Sequence, residues 1–184
     1  MITTLKVVFL GESGVGKSCI MKQFAEDIFD KNISTSFSAE SISKTIILEE
    51  LNQTIKFDIW VMAGTKRFRP LSNIFYKDAD VICLCYDSTN KSSFEELKDF
   101  WYEKEIKNKI GHAPILVIVA NKNDLNKEVK DVEGKAFSKE INAIFQSTSA
   151  TSNIEIKNLF ENIARKYFDP SYDCNEIEDR EKKE

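Results

Sequence analysis

Apolar residues gather along the chain in short runs at 5–10, 42–49, 54–61, 80–86, 115–120 and 143–146, the length of buried or half-buried strands. Between them the spacing changes to steps of three and four, which predicts helices over 17–26, 92–108, 131–142 and 153–168, with a shorter one near 67–75. Two of the strands, about 42–49 and 54–61, are joined by Glu49 to Gln53. That connection exceeds a two-residue hairpin turn, so by itself it fixes register poorly. Strands alternating with helices predict an α/β fold, a doubly wound, mostly parallel six-stranded sheet with helices on both faces. Ligand loops of such a sheet lie at the carboxyl ends of its strands.

A chain of 184 residues at 42% hydrophobic can bury one full core, so residues 1–168 are read as a single domain. From Asp169 the apolar residues thin out and the chain ends Glu178-Asp-Arg-Glu-Lys-Lys-Glu184, which predicts a disordered charged tail over 169–184. Trp101 fits the inner face of helix 92–108 with Phe94, Leu97 and Phe100 on neighbouring turns, while Glu95, Glu96, Lys98 and Lys104 to Lys109 form a solvated face. No stretch reaches membrane-spanning length and no signal peptide precedes the first strand, so a cytoplasmic protein is expected. The net charge of −4 supplies no basic patch for nucleic acid. Cys83 and Cys85 sit two apart on one face of a strand and, with Cys19 and Cys174, form no metal-ligand spacing. The single histidine, His112, falls in a loop and reads as surface.

Chemistry enters at Gly11-Glu-Ser-Gly-Val-Gly-Lys-Ser18, directly after the first strand. It fits G-x-x-x-x-G-K-[ST], the P-loop of nucleoside-triphosphate-binding proteins. Backbone N–H groups from Gly11 through Ser13, Gly14, Val15, Gly16 and on to Cys19 can turn onto phosphate oxygens. Lys17 can neutralise the β and γ oxygens, and the Ser18 hydroxyl is a ligand for Mg²⁺. Asn121-Lys-Asn-Asp124 follows the run Ile115 to Ala120 and points to the base. Guanine offers two donors, N1–H and N2, to the Asp124 carboxylate; adenine would leave that carboxylate unpaired. Asn121 and the Lys122 stem would hold the loop and cover the base. An adenine-nucleotide enzyme such as a small-molecule kinase fits these residues poorly, and the chain has no Arg-rich lid.

With these two motifs the chain resembles a Ras-superfamily small GTPase, most closely the Rab branch, from about Leu5 to Phe168. The Rab character lies in Ile59-Trp60, Arg67-Phe68-Arg69, Phe75-Tyr76-Lys77-Asp78-Ala79 and Tyr86-Asp87-Ser-Thr-Asn-Lys-Ser-Ser-Phe94. Ser147-Thr-Ser-Ala150 resembles the last guanine-binding loop, so Ser149 and Ala150 join the base site, with the Ala150 N–H directed to guanine O6; Thr151 stands where a lysine is common. The resemblance implies GTP and GDP as ligands with Mg²⁺, and action in vesicle traffic. It also implies effector, exchange-factor and GTPase-activating partners meeting the switches near Trp60, with Phe75 or Tyr76 beside it, and a monomer.

Two departures qualify that implication. Where the family usually reads Asp-Thr-Ala-Gly-Gln-Glu, this chain has Val61-Met-Ala-Gly-Thr-Lys66. Val61 removes the acid that orients water around Mg²⁺, and Thr65 replaces the Gln that positions the attacking water, so of the candidate catalytic residues Lys17, Gly64 and Thr65 the last is impaired. Asp58, three residues earlier on the strand, points to the opposite face and is a poor stand-in. Hydrolysis is expected to be slow, or absent in a pseudo-GTPase that serves as a nucleotide-bound effector module; a partner could also supply the missing group. The first switch lacks the usual Thr-Ile-Gly, and either Thr35 or Ser36 can be its Mg²⁺-ligating hydroxyl. Rab relatives usually end in prenylated cysteines, whereas Cys174 is followed by ten residues and lies in no C-a-a-X box; peripheral attachment to endomembranes would need a lipidated end outside this sequence.

Overall fold

A computed structural model describes residues 2–30, 39–108, 111 and 113–175. Thr35, Ser36 and His112 lie outside the described residues. Six strands, β1 (Ile2–Leu10), β2 (Glu40–Leu48), β3 (Gln53–Val61), β4 (Val81–Asp87), β5 (Ile115–Asn121) and β6 (Ile144–Ser147), form one sheet in the order β2-β3-β1-β4-β5-β6. Only the β2–β3 pair is antiparallel. After β1 the chain goes to the β2 edge and after β3 to the other side, so β1 lies where the winding reverses and its carboxyl end opens onto the crevice where such sheets bind ligands.

Helices α1 (Lys17–Glu26) and α5 (Ile156–Phe168) supply Ile20, Met21, Phe24, Leu159, Phe160 and Ile163 to the core on one face. The other face is covered by α2 (Ser72–Tyr76), α3 (Lys91–Glu96) and α4 (Asp131–Glu140). Phe160 anchors the first core: its ring stacks on Phe24 with centroids 3.6 Å apart and meets Phe57 edge-on at 5.3 Å. Cys83 and Cys85 are fully buried in this core, as small hydrophobes.

Several expectations need correction. β1 starts at Ile2, three residues early, because parallel pairing with β3 continues from Leu5↔Phe57 back to Ile2↔Thr54. The β2–β3 register is firm, nine pairs from Glu40↔Val61 to Leu48↔Gln53. A 3-10 turn over Glu49–Leu51, closed by Asn52 at φ 50°, shapes the connection, and alternate residues Ile42 and Ile46 face the core. The expected helix 92–108 is α-helical only through Glu96; Leu97–Ile106 is wound as a π-helix. The wider turn brings Leu97, Trp101, Glu105 and Ile106 inward, at steps of four and five. Trp101 is fully buried as expected, while Phe100 is half-buried under the Arg69 guanidinium at 4.0 Å. α5 starts at Ile156 because Ser149 and Ile154 exchange backbone bonds of 3.1 and 2.9 Å and hold the intervening residues in a turn.

The tail is not free from Asp169. Residues 169–175 fold back on α5: the Tyr172 hydroxyl donates to Asn162 Oδ1 at 2.8 Å, Lys166 Nζ donates to the Tyr172 carbonyl at 2.9 Å, and Cys174 is buried. Cys174 and the Tyr172 ring, packed on the α1–α5 core, and the Tyr172 hydroxyl seat this stretch where its composition predicted disorder. Residues 176–184 lie outside the described residues.

Phe160→Ala should remove the centre of the α1–α5 core and cost about 3–5 kcal/mol, read as a lower midpoint in urea unfolding with an unchanged m value.

Candidate nucleotide site

The first helix begins without help from its own side chains. Its N-cap is Gly16, at φ 98°, no side chain caps it and its first turn holds no acid, so the leading N–H groups of a ten-residue helix are left for an anion. A Cβ at Gly16 would lie 2.2 Å from Asn121 Nδ2, so both the backbone angle and the approach of that amide require glycine. Gly11, directly after β1, is buried, Ser13 and Gly14 are exposed at the tip, and Val15 is buried. Lys17 reaches back across the loop, donating from Nζ to the Gly11 and Glu12 carbonyls at 2.9 and 2.6 Å. Burial lowers its pKa from 10.5 to about 8, against the pull of nearby negative groups, Glu12 among them. Ser18 is 8% exposed and Cys19 half-buried, both in the first turn of α1.

Asn121 ties the parts together. Its Nδ2 donates to the Val15 carbonyl at 2.9 Å; its Oδ1 accepts from Thr148 Oγ1 at 3.2 Å and from the Ala150 N–H at 3.3 Å. The Ala150 N–H, expected to face guanine O6, is thus turned onto Asn121 through a long bond. Ser149 and Ala150 are buried beside it, and Asp124 is exposed at the rim. Lys122, at φ 63°, sends Nζ to Asp87 Oδ2 at 2.5 Å, which holds its stem in place. Asp87 and Thr148 received no role from the sequence. Asp87 stands opposite Asn121 in the β4–β5 ladder, a placement that only the pairing reveals, and its Oδ1 accepts from Thr89 N and Oγ1 at 2.9 and 2.7 Å.

The loop after β3 closes on the P-loop. A Cβ at Gly64 would fall 2.3 Å from the Glu12 and Ser13 backbone. Val61, 1% exposed, belongs to the apolar core with Val15 and Ile20. Thr65 Oγ1 is buried and has no hydrogen-bond partner among the described residues. Asp58 faces away as expected, bound by Ser43 Oγ at 2.5 Å and Lys56 Nζ at 2.9 Å. Arg69 holds the segment down, pairing with Glu96 at 2.5 Å and Glu12 at 3.3 Å. Ser72 Oγ and the Tyr76 hydroxyl each donate to Glu105 Oε2 at 3.0 Å, so Tyr76 is turned inward. Phe75 is the residue beside Trp60, their rings 6.1 Å apart. Among the described residues no group of three or more His, Cys, Asp or Glu could hold a metal, and no helix is long and apolar enough to cross a membrane.

A six-stranded sheet with a glycine loop and an Asn-centred base loop at its carboxyl edge defines a P-loop guanine-nucleotide-binding class. A model of the Ras family matches residues 6–169, and the chain belongs to that family, in its Rab branch of small GTPases. It is 39% identical over 176 residues to the Ras-related protein Rab-22A of mouse, and to that of human, matching 93% of this chain and 86% of the relative. It is 37% identical over 163 residues to the Ras-related protein RabJ of Dictyostelium discoideum, matching 88% of this chain and 62% of that protein.

Asn121→Ala should orphan the Val15 carbonyl, the Thr148 hydroxyl and the Ala150 N–H together. A loss of about 2 kcal/mol or more, a Tm lowered by roughly 4–8 °C, is expected by calorimetry of the nucleotide-free protein.

Proposed function

We propose that this small GTPase holds GTP or GDP with Mg²⁺ and acts as a slowly hydrolysing Rab-type switch in vesicle traffic, on the cytosolic face of endomembranes. The observation that carries the reading is the Asn121 amide, which joins the phosphate loop to the base loop as one preassembled receptor. The N–H groups of α1 and of the loop bind phosphate, Lys17 offers Nζ to the β and γ oxygens, and Gly64, whose backbone lies against the P-loop, would offer its N–H to the γ-phosphate. Asp124 accepts from guanine N1–H and N2, and the Lys122 stem, braced by Asp87, covers the base. On nucleotide binding the Ala150 N–H exchanges its long bond to Asn121 for guanine O6. Ser18, with Thr35 or Ser36, would hold Mg²⁺, which supplies charge neutralisation for the phosphate oxygens when bound.

Slow hydrolysis is supported by Val61, an apolar core residue where the family has its acid, and by Thr65, whose hydroxyl is buried away from solvent. The same two residues favour the second reading, a non-hydrolysing module that presents the Trp60–Phe75 surface to effectors. Identifying the nucleotide released on denaturing the purified protein, with added GTP followed over hours, tests both: GDP with slow conversion supports the switch, retained GTP supports the module, and an empty protein overturns the nucleotide reading.

Lys17→Ala should abolish retention of fluorescent GDP. Val61→Asp combined with Thr65→Gln should raise single-turnover hydrolysis at least about tenfold. Because burial lowers the Lys17 pKa to about 8 before nucleotide binds and phosphate favours its charged form, binding takes up a proton above that pH. GDP affinity should be flat below pH 8 and fall by up to about tenfold per unit above it, measurable by fluorescence titration at pH 7, 8 and 9.

A further inference from the structure

We propose that Glu40, on β2, supplies a carboxylate to the Mg²⁺ shell from one strand across the sheet, making up in part for the acid that Val61 withdraws from β3. This rests on the reading of the site as a Mg²⁺-assisted nucleotide receptor. Glu40 is paired directly with Val61 in the antiparallel ladder. Directly opposed residues share a face, with Cβ atoms about 4.5–5.5 Å apart. That face is the one toward α1: Ile42 and Ile46, of the same alternation as Glu40, pack on the α1–α5 core, and Lys44 donates from Nζ to the Phe24 carbonyl of α1 at 2.5 Å.

The levels also agree. β2 and α1 both run away from the carboxyl edge of β1, since β2 is antiparallel to β3 and β3 parallel to β1. Four residues from Lys44 back to Glu40 climb about 13 Å toward that edge. Six residues of helix from Phe24 back to Ser18 climb about 9 Å. Glu40 therefore stands at the level of the first turn of α1, where its charge acts on Cys19, the residue after Ser18, and its Oε2 is shielded from solvent. A hydroxyl and a carboxylate are the hard oxygen donors that Mg²⁺ takes, directly or through its retained waters. The residues present thus fit the ion, with Glu40 in the part of a positioning residue acting on bound water.

The test uses the full chain loaded with a fluorescent GDP analogue, its release followed against free Mg²⁺, with release in excess chelator as each variant's own baseline. Glu40→Gln should need about tenfold more free Mg²⁺ than wild type for half-maximal slowing of release. In that background Val61→Asp, which returns an acid to β3, should bring the requirement back toward wild type. If Glu40→Gln leaves the Mg²⁺ requirement unchanged while wild-type release is slowed by Mg²⁺, the role of Glu40 is overturned and the nucleotide reading stands. If Mg²⁺ does not slow release from wild type, or the analogue does not bind, both are overturned.

Discussion

The Asn121 side chain, almost wholly buried, donates to the Val15 carbonyl and accepts from Thr148 and Ala150, so one amide fastens loops that follow β1, β5 and β6. A buried amide left unpaired would cost about 1–3 kcal/mol per lost partner, and here every partner is a loop group that would otherwise be orphaned itself. The glycine at position 16 is a consequence: the amide approaches so closely that no Cβ fits. The braced Lys122 and the αL backbone beneath it follow from the same ladder, because Asp87 is brought opposite Asn121 by β4–β5 pairing.

On the other side of the P-loop, the segment after β3 is held by polar groups buried in pairs. Arg69 lies between two carboxylates and over the Phe100 ring, and Glu105 accepts from Ser72 and Tyr76. Burial, reinforced by the Glu105 carboxylate, pushes the Tyr76 phenol well above its ordinary range, so it stays a donor at any physiological pH. Buried charges are tolerable only when matched in this way. Anchoring from both ends explains how the segment stays seated on Glu12 and Ser13 although the Val61 side chain is apolar and the Thr65 hydroxyl has no hydrogen-bond partner among the described residues.

Most of the sheet was legible because apolar runs and helical spacing are local signals. The elements that departed from expectation are those whose limits depend on partners distant in the chain. β1 reaches back to Ile2 because β3 is there to pair with it, and the β2–β3 register is firm because Ile42 and Ile46 have a core to face. The π-wound stretch after Glu96 reflects where Trp101, Glu105 and Ile106 find space, which no periodicity of 3.6 could announce. Residues 169–175 are seated by Asn162 and by the α5 surface rather than by their own composition.

The sequence by itself determined the class of ligand and the class of fold. A phosphate loop and a base loop are read from contiguous residues whose side chains and backbone act within a few positions of one another, as Gly11 to Ser18 and Asn121 to Asp124 do. Tertiary structure alone decided which residues those loops lean on: Asp87 under Lys122, Thr148 and Ala150 on Asn121, Arg69 on Glu12, and Glu40 across from Val61. The reason is that hydrogen bonds and ion pairs reach only a few ångströms, while residues that meet in them at this site, Val15 and Asn121, stand 106 positions apart in the chain, a separation that only strand order and register can close.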